Sequence, residues 1–201
     1  EPEVLVEVSD GVGRLTLNRP RAINALTEAM CATMLDGLRA WSAPASGVRA
    51  VELHGAGERG LCAGADIKAI RALDAAAAQA FFRTEYTLSH AIATHRLPYT
   101  ASMNGIVMGG GLGVSAHGSR RIVRPDTRVA MPETIIGFVP DVGILWHLSR
   151  AGLAGVHAAL TGSTFGAGDA LLLGLADECD GEAPAATLDA ADWLYCYAEP
   201  D

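Results

Sequence analysis

Positive charge is in short supply in this sequence. Its 201 residues hold 15 Lys and Arg against 23 Asp and Glu, a formal net charge of −8. Nucleic-acid binding needs a surplus of Lys and Arg on one face, so no nucleic-acid partner is expected. Cysteine is scarce as well. Cys31, Cys62, Cys179 and Cys196 stand far apart with no CxxC pair, which points to reduced thiols rather than a secreted disulfide framework or a cysteine metal site. No apolar run reaches the roughly 20 residues of a membrane span, and no membrane partner is expected. Glu1 to Asp10 is acidic and alternating rather than basic then apolar, unlike a signal peptide. The expected location is cytoplasmic, although a mitochondrial transit peptide removed ahead of residue 1 would leave no mark. No Ser sits in a GxSxG elbow, and His54, His90, His95, His117, His147 and His157 share no ligand spacing. A serine-hydrolase triad and a metal site are therefore not expected.

What is abundant is apolar: half of the residues are hydrophobic, enough for one domain with a substantial core and little room for a second. Val4, Val6 and Val8, then Asp10-Gly11, then Val12, Leu15 and Leu17 predict a hairpin. Thr27 begins a helix with Met30, Met34, Leu38 and Trp41 on one face, ending by Pro44. Val48 to His54 predicts a strand, and Ile67 to His95, free of Gly and Pro, a helix in one or two pieces. Tyr99 to Met103 reads as a strand, Gly110 to Ala116 as a helix start, residues 122–129 as irregular or extended, and residues 146–150 and 156–160 as helical. The alternation predicts an α/β layer architecture. Past Ala176 the pattern gives way to an acidic, turn-rich stretch before a short helix-like segment ending in Trp193 and Tyr195. The expected division is a core domain over residues 1–177 and an apparently incomplete remnant over 178–201.

Two glycine clusters compete as anion cradles. Gly55-Ala56-Gly57-Glu58-Arg59-Gly60 follows a strand and matches GxGxxG, but Gly64 interrupts the helix that a dinucleotide-binding fold requires next, so a plain loop is the better reading. Met108-Gly109-Gly110-Gly111-Leu112-Gly113 also follows a strand and runs directly into an apolar stretch. Glycines there leave backbone N–H groups unshielded at a helix start, where negative charge is favoured; close strand–helix packing is the plainer alternative.

Four motifs in register carry a resemblance: Asn18-Arg19-Pro20 with Asn24-Ala25-Leu26; Cys62-Ala63-Gly64-Ala65-Asp66-Ile67; Asn104-Gly105 with Gly109-Gly110-Gly111; and Pro132-Glu133 with Ile136-Gly137. Over roughly residues 4 to 177 the chain resembles the crotonase (enoyl-CoA hydratase/isomerase) superfamily. The resemblance implies an α/β crotonase fold of repeated ββα units, commonly a trimer or hexamer. It implies an acyl-CoA substrate, with coenzyme A entering only as part of it and no other cofactor. The backbone N–H groups of Ala65 and Gly110 would form the oxyanion hole. Arg21, Ala22 and Ile23, together with Ala63, Asp66, Ile67 and Gly109, would line the substrate and coenzyme A cleft, with Arg21 or Lys68 near the phosphates.

Hydratases of the superfamily place one glutamate two residues after the third glycine and another in the Pro-Glu motif. Here the first position is Gly113 and the second is Glu133. The string from Met131 to Gly143, with Ser115-Ala116-His117-Gly118, resembles the 3-hydroxyisobutyryl-CoA hydrolase branch, in which Asp141 matches the second catalytic acid. The resemblance thus implies a thioester hydrolase acting on a short branched β-hydroxyacyl-CoA, of a valine-catabolism type. Glu133 would attack the thioester carbonyl or activate water, and Asp141 would protonate the departing thiolate. An N-cap ahead of Val142 is the structural alternative for Asp141. An enoyl-CoA hydratase or isomerase is the alternative activity, and a non-catalytic acyl-CoA-binding protein a third.

Overall fold

The computed structural model describes residues 1–188. β1 (Val4–Ser9) and β2 (Val12–Leu17) form the antiparallel hairpin, with Asp10 and Gly11 at positive φ in its turn. α1 (Glu28–Trp41) follows, its first turn capped by the Thr27 hydroxyl, which accepts from Met30 N at 3.2 Å. Met30, Met34, Leu35, Leu38 and Trp41 form its buried face, the amphipathic stripe that three- and four-residue spacing requires. β3 (Ala50–Gly55) pairs parallel with β2. α2 (Ile67–Arg71) and α3 (Ala75–Ala93) are two helices because Asp74 starts the second, its carboxylate accepting from Ala77 N.

β4 (Tyr99–Met103), β5 (Ile106–Met108) and α4 (Gly110–Ser115) come next. β6 (Arg120–Val123) and β7 (Arg128–Ala130) occupy the stretch left as irregular or extended by the sequence. α5 (Ile144–Leu148), α6 (Gly152–Thr161), α7 (Ala167–Leu172) and β8 (Glu178–Cys179) complete the order. The main sheet runs β1-β2-β3-β4-β6-β8, parallel beyond the hairpin, and β5 pairs with β7 in a second, two-stranded sheet.

The GxGxxG stretch is a loop, as its glycines suggest. The side-chain amide of buried Asn24 donates to the carbonyls of Ala56, Gly60 and Leu61 and its oxygen accepts from Arg19 N. One residue thereby gives polar partners to the ends of the loop, including the buried Gly60 and Leu61, whose carbonyls would otherwise lose water without replacement. Residues past 177 add to the same core: β8 joins the sheet, Leu188 is buried, and Asp169 accepts from Thr187 N and Leu188 N. Trp193, Tyr195 and Cys196 lie outside the described residues. Among the described residues no helix is long and apolar enough to cross a membrane.

Candidate active site

Two chain segments bring Ala65 and Gly110 together. The loop from Gly60 to Ala65 runs along β5, through bridges from Gly60 to Gly105 and from Cys62 to Val107. Cys62 N donates to Ile106 O, and Cys62 O accepts from Met108 N. Ala65 then bridges to Leu26, but that bridge uses Gly64 O and Asp66 N. The Ala65 N–H therefore faces the opposite way, toward Gly110. A Cβ built on Gly110 would lie 3.4 Å from Ala65 N, and one built on Gly64 would lie 3.5 Å from Gly110 N. Gly109 turns the chain into α4 at φ 50 and ψ −122, a conformation that only glycine adopts readily. The result is two backbone N–H groups brought close together from separate loops.

Carboxyl groups crowd the same place. Glu133, in the 3-10 turn Pro132–Ile136, puts Oε1 2.7 Å from where a Gly109 Cβ would stand, and its Oε2 is buried without a partner. Asp141 accepts a hydrogen bond from the Tyr86 hydroxyl at 2.7 Å. It is not the cap of α5, whose N-cap is Gly143. Glu85 is a third carboxyl that the sequence reading did not single out: on α3 it is 2% exposed, its Oε1 has no hydrogen-bond partner among the described residues, and it abuts Gly110 where a Cβ would be. A signal for it exists in the sequence, since Phe81, Glu85, Leu88, Ser89 and Ile92 share the buried stripe of α3, where an acid is out of place.

Burial sets the protonation of these groups. Desolvation, reinforced by Asp141 and Glu133, pushes Glu85 up to about 8, and Glu133 is raised to about 7 by burial and by Asp141. Asp141 is also raised by burial, against the lowering effect of the Tyr86 hydrogen bond. Near neutral pH the cluster thus retains protons that exposed carboxylates would have lost. A cavity of about 1050 Å³ opens beside it, reaching Tyr86, His117, Asp141 and Trp146.

The position that carries a glutamate in hydratases is closed by packing. A Cβ on Gly113 would come 2.6 Å from Val142 Cβ, so the Val142 side chain occupies the space a side chain there would need.

The residues expected along the substrate cleft are neighbours. Arg21 and Ala22 lie in the turn Pro20–Ala22, Ile23 follows at φ 49, and Ile23 O accepts from Ala63 N at 2.9 Å. Asp66 caps α2 through Ala69 N and pairs with Arg19 at 3.0 Å, contacts that hold its carboxyl below the usual range. Its carboxylate is thereby engaged in holding the loop, and the next residue, Ile67, is exposed.

Comparison with known proteins agrees with this geometry. A family model described as enoyl-CoA hydratase/isomerase matches residues 12–191. The chain is 44% identical over 178 residues to a mitochondrial 3-hydroxyisobutyryl-CoA hydrolase of Danio rerio and 40% identical to that of Homo sapiens; each match covers 87% of this chain and 46% of the relative. The chain therefore spans about half the length of the curated relatives it matches. Among solved structures, a carnitinyl-CoA dehydratase from Mycobacterium thermoresistibile superposes with a TM-score of 0.91 at 46% identity, covering 99% of this chain and 67% of that one. An enoyl-CoA hydratase from Rhodobacter sphaeroides gives 0.84 at 38%, covering 98% and 57%. The chain belongs to the enoyl-CoA hydratase/isomerase family and has its crotonase fold.

Proposed function

We propose that this chain hydrolyses an acyl-CoA thioester, with a short branched β-hydroxyacyl-CoA of the 3-hydroxyisobutyryl type as substrate. The observation that carries the reading is the exchange at Gly113: Val142 fills the place of a hydratase carboxylate, while Glu133 and Asp141 remain in the cluster. The thioester oxygen would accept from Ala65 N–H and Gly110 N–H, donors whose loss costs about 10²–10³ in rate in comparable sites. Glu133, as carboxylate, attacks the carbonyl carbon or takes a proton from the water that does. The C–S bond then breaks, and Asp141 delivers the proton that the thiolate needs. Where Glu133 itself attacks, water then hydrolyses the acyl–Glu133 anhydride and frees the carboxylate; by either route the overall change consumes one water and yields a carboxylate, a proton and free coenzyme A thiol. Coenzyme A would lie along Arg21 to Ile23 and Ala63 to Ile67, with Arg21 or Lys68 meeting its phosphates.

The curated relatives named as 3-hydroxyisobutyryl-CoA hydrolases support this reading, and a role of the valine-catabolism type is proposed with it. Several of them are named mitochondrial, so the mitochondrion stands beside the cytoplasm as the proposed location. A trimer or hexamer is proposed on the exposure of Ile135, Ile136, Val139 and Leu160, apolar side chains that an interface would cover.

The hydratase or isomerase reading has two supports of its own, the names of the matching solved structures and the third carboxyl, Glu85, against Gly110. Thiol trapping beside enoyl-CoA hydration on one preparation separates the two. The expected result is thiol release from 3-hydroxyisobutyryl-CoA well above hydration of an enoyl-CoA; hydration without thiol release would remove the hydrolase assignment.

A further inference from the structure

Asp141 is followed by a strained turn. Val142 has φ 45 and Gly143 φ 76. Positive φ in a β-branched residue costs on the order of 1–3 kcal/mol and persists only where surroundings enforce it. Two contacts enforce it here. The Val142 side chain is seated against the bare backbone of Gly113, and His117 Nε2 lies 2.7 Å from Val142 O. A carbonyl only accepts, so that nitrogen carries the proton and His117 Nδ1 presents a lone pair. His147 Nε2 stands 3.2 Å from that Nδ1, within reach of its lone pair, and the Gly174 backbone is a second partner of the His147 ring. His147 belongs to α5, which begins where Ile144 N donates to Asp141 O at 2.9 Å. The contacts close a ring: the Asp141 carbonyl accepts from the first residue of the helix, the helix carries His147, His147 stands against His117, and His117 grips the carbonyl next to Asp141. Burial lowers both imidazoles, which keeps them neutral. Two histidines alone make no metal site, and among the described residues no third ligand stands with them.

Resting on the hydrolase reading above, we propose that His117, aligned by His147, is a positioning residue that aims the Asp141 carboxylate by holding the Val142 carbonyl. The ring of His117 also lies against Gly143, where a Cβ would be 3.1 Å from Cε1, so the imidazole fixes both residues of the turn. His117 touches no reacting atom. Its effect passes through Asp141, and a displacement of that carboxylate by about 1 Å can cost 10²-fold in rate.

The test is a double-mutant cycle on thiol release. His117→Leu is expected to lower kcat about ten- to a hundredfold with KM within about threefold. His117→Gln, whose amide can still donate to Val142 O, should recover most of the loss. In an Asp141→Asn background, His117→Leu should add nothing, because the group it positions is already gone. Full additivity in that background, or an unchanged kcat in His117→Leu, would overturn the proposal. Should His117→Leu fail to fold, His147→Phe reads the same coupling, since it frees the His117 ring while leaving its donor. Should the wild type hydrate an enoyl-CoA and release no thiol, the hydrolase reading falls, and the same cycle run on hydration decides the positioning claim separately: coupling to Asp141 upholds it and additivity overturns it.

Discussion

Glu85, Glu133 and Asp141 share a space too small and too dry for three negative charges, and the resulting proton retention makes the site sensitive to pH. In the folded chain Glu85 titrates at about 8 against an ordinary 4.5, and Glu133 at about 7. Between those limits the folded state binds more protons than the unfolded state, so stability falls as pH rises, by up to about 1.4 kcal/mol per pH unit for each group. Stability from this source is intact below the ordinary carboxylate range and lost as pH passes through the folded values. Urea midpoints should therefore fall from about pH 5 to about pH 9, and Glu85→Gln should flatten that fall. Equal slopes in the two proteins would mean that Glu85 is not the buried acid described. Glu133 and Asp141 were legible in the sequence because they stand in motifs. Glu85 was not, since the alanine-rich helix around it offers no motif, and only its place on the apolar stripe of α3 marks it. The same holds for Val142, whose closure over Gly113 depends on a loop conformation that no local pattern announces.

At the scale of elements, α4 and the turn into α5 must fit each other closely, and Gly113 is where they meet. Gly113→Ala sets a methyl 2.6 Å from Val142 Cβ, which is overpacking between backbone-anchored groups. The expected cost is about 1–3 kcal/mol in urea unfolding, together with reduced thiol release as Val142 and Asp141 are displaced. Unchanged stability and rate would show that the two elements have slack. Elements with strong local signals were legible: the β1–β2 hairpin from Asp10-Gly11 and α1 from Thr27 and its apolar stripe. β5, β7 and β8 are two or three residues long. They exist through pairing with distant partners, and so short a run carries no period to read. α7 escaped for a related reason: Asp169 in its first turn accepts from Gly166 N and from Thr187 and Leu188, and the latter two contacts depend on a segment farther along the chain.

Over the whole molecule, the sheet and its core place two loops, one helix and one strained turn around a single point between Ala65 and Gly110. The described chain also exposes Ile135, Ile136, Val139, Trp146 and Leu160 on the side of α5 and α6, and it spans less than half of each curated relative it matches. The chemistry at the central point is nevertheless specific enough to test on its own, because one carboxylate is assigned the step that starts C–S cleavage. The most direct measurement is steady-state thiol release from 3-hydroxyisobutyryl-CoA by Glu133→Gln, with substrate affinity measured in parallel. A carboxamide keeps the shape and loses the charge, so kcat should fall at least about a thousandfold while binding stays within a few-fold. Thiol release that survives the substitution at near the wild-type rate would contradict the assignment of Glu133 and, with it, the proposed route of hydrolysis.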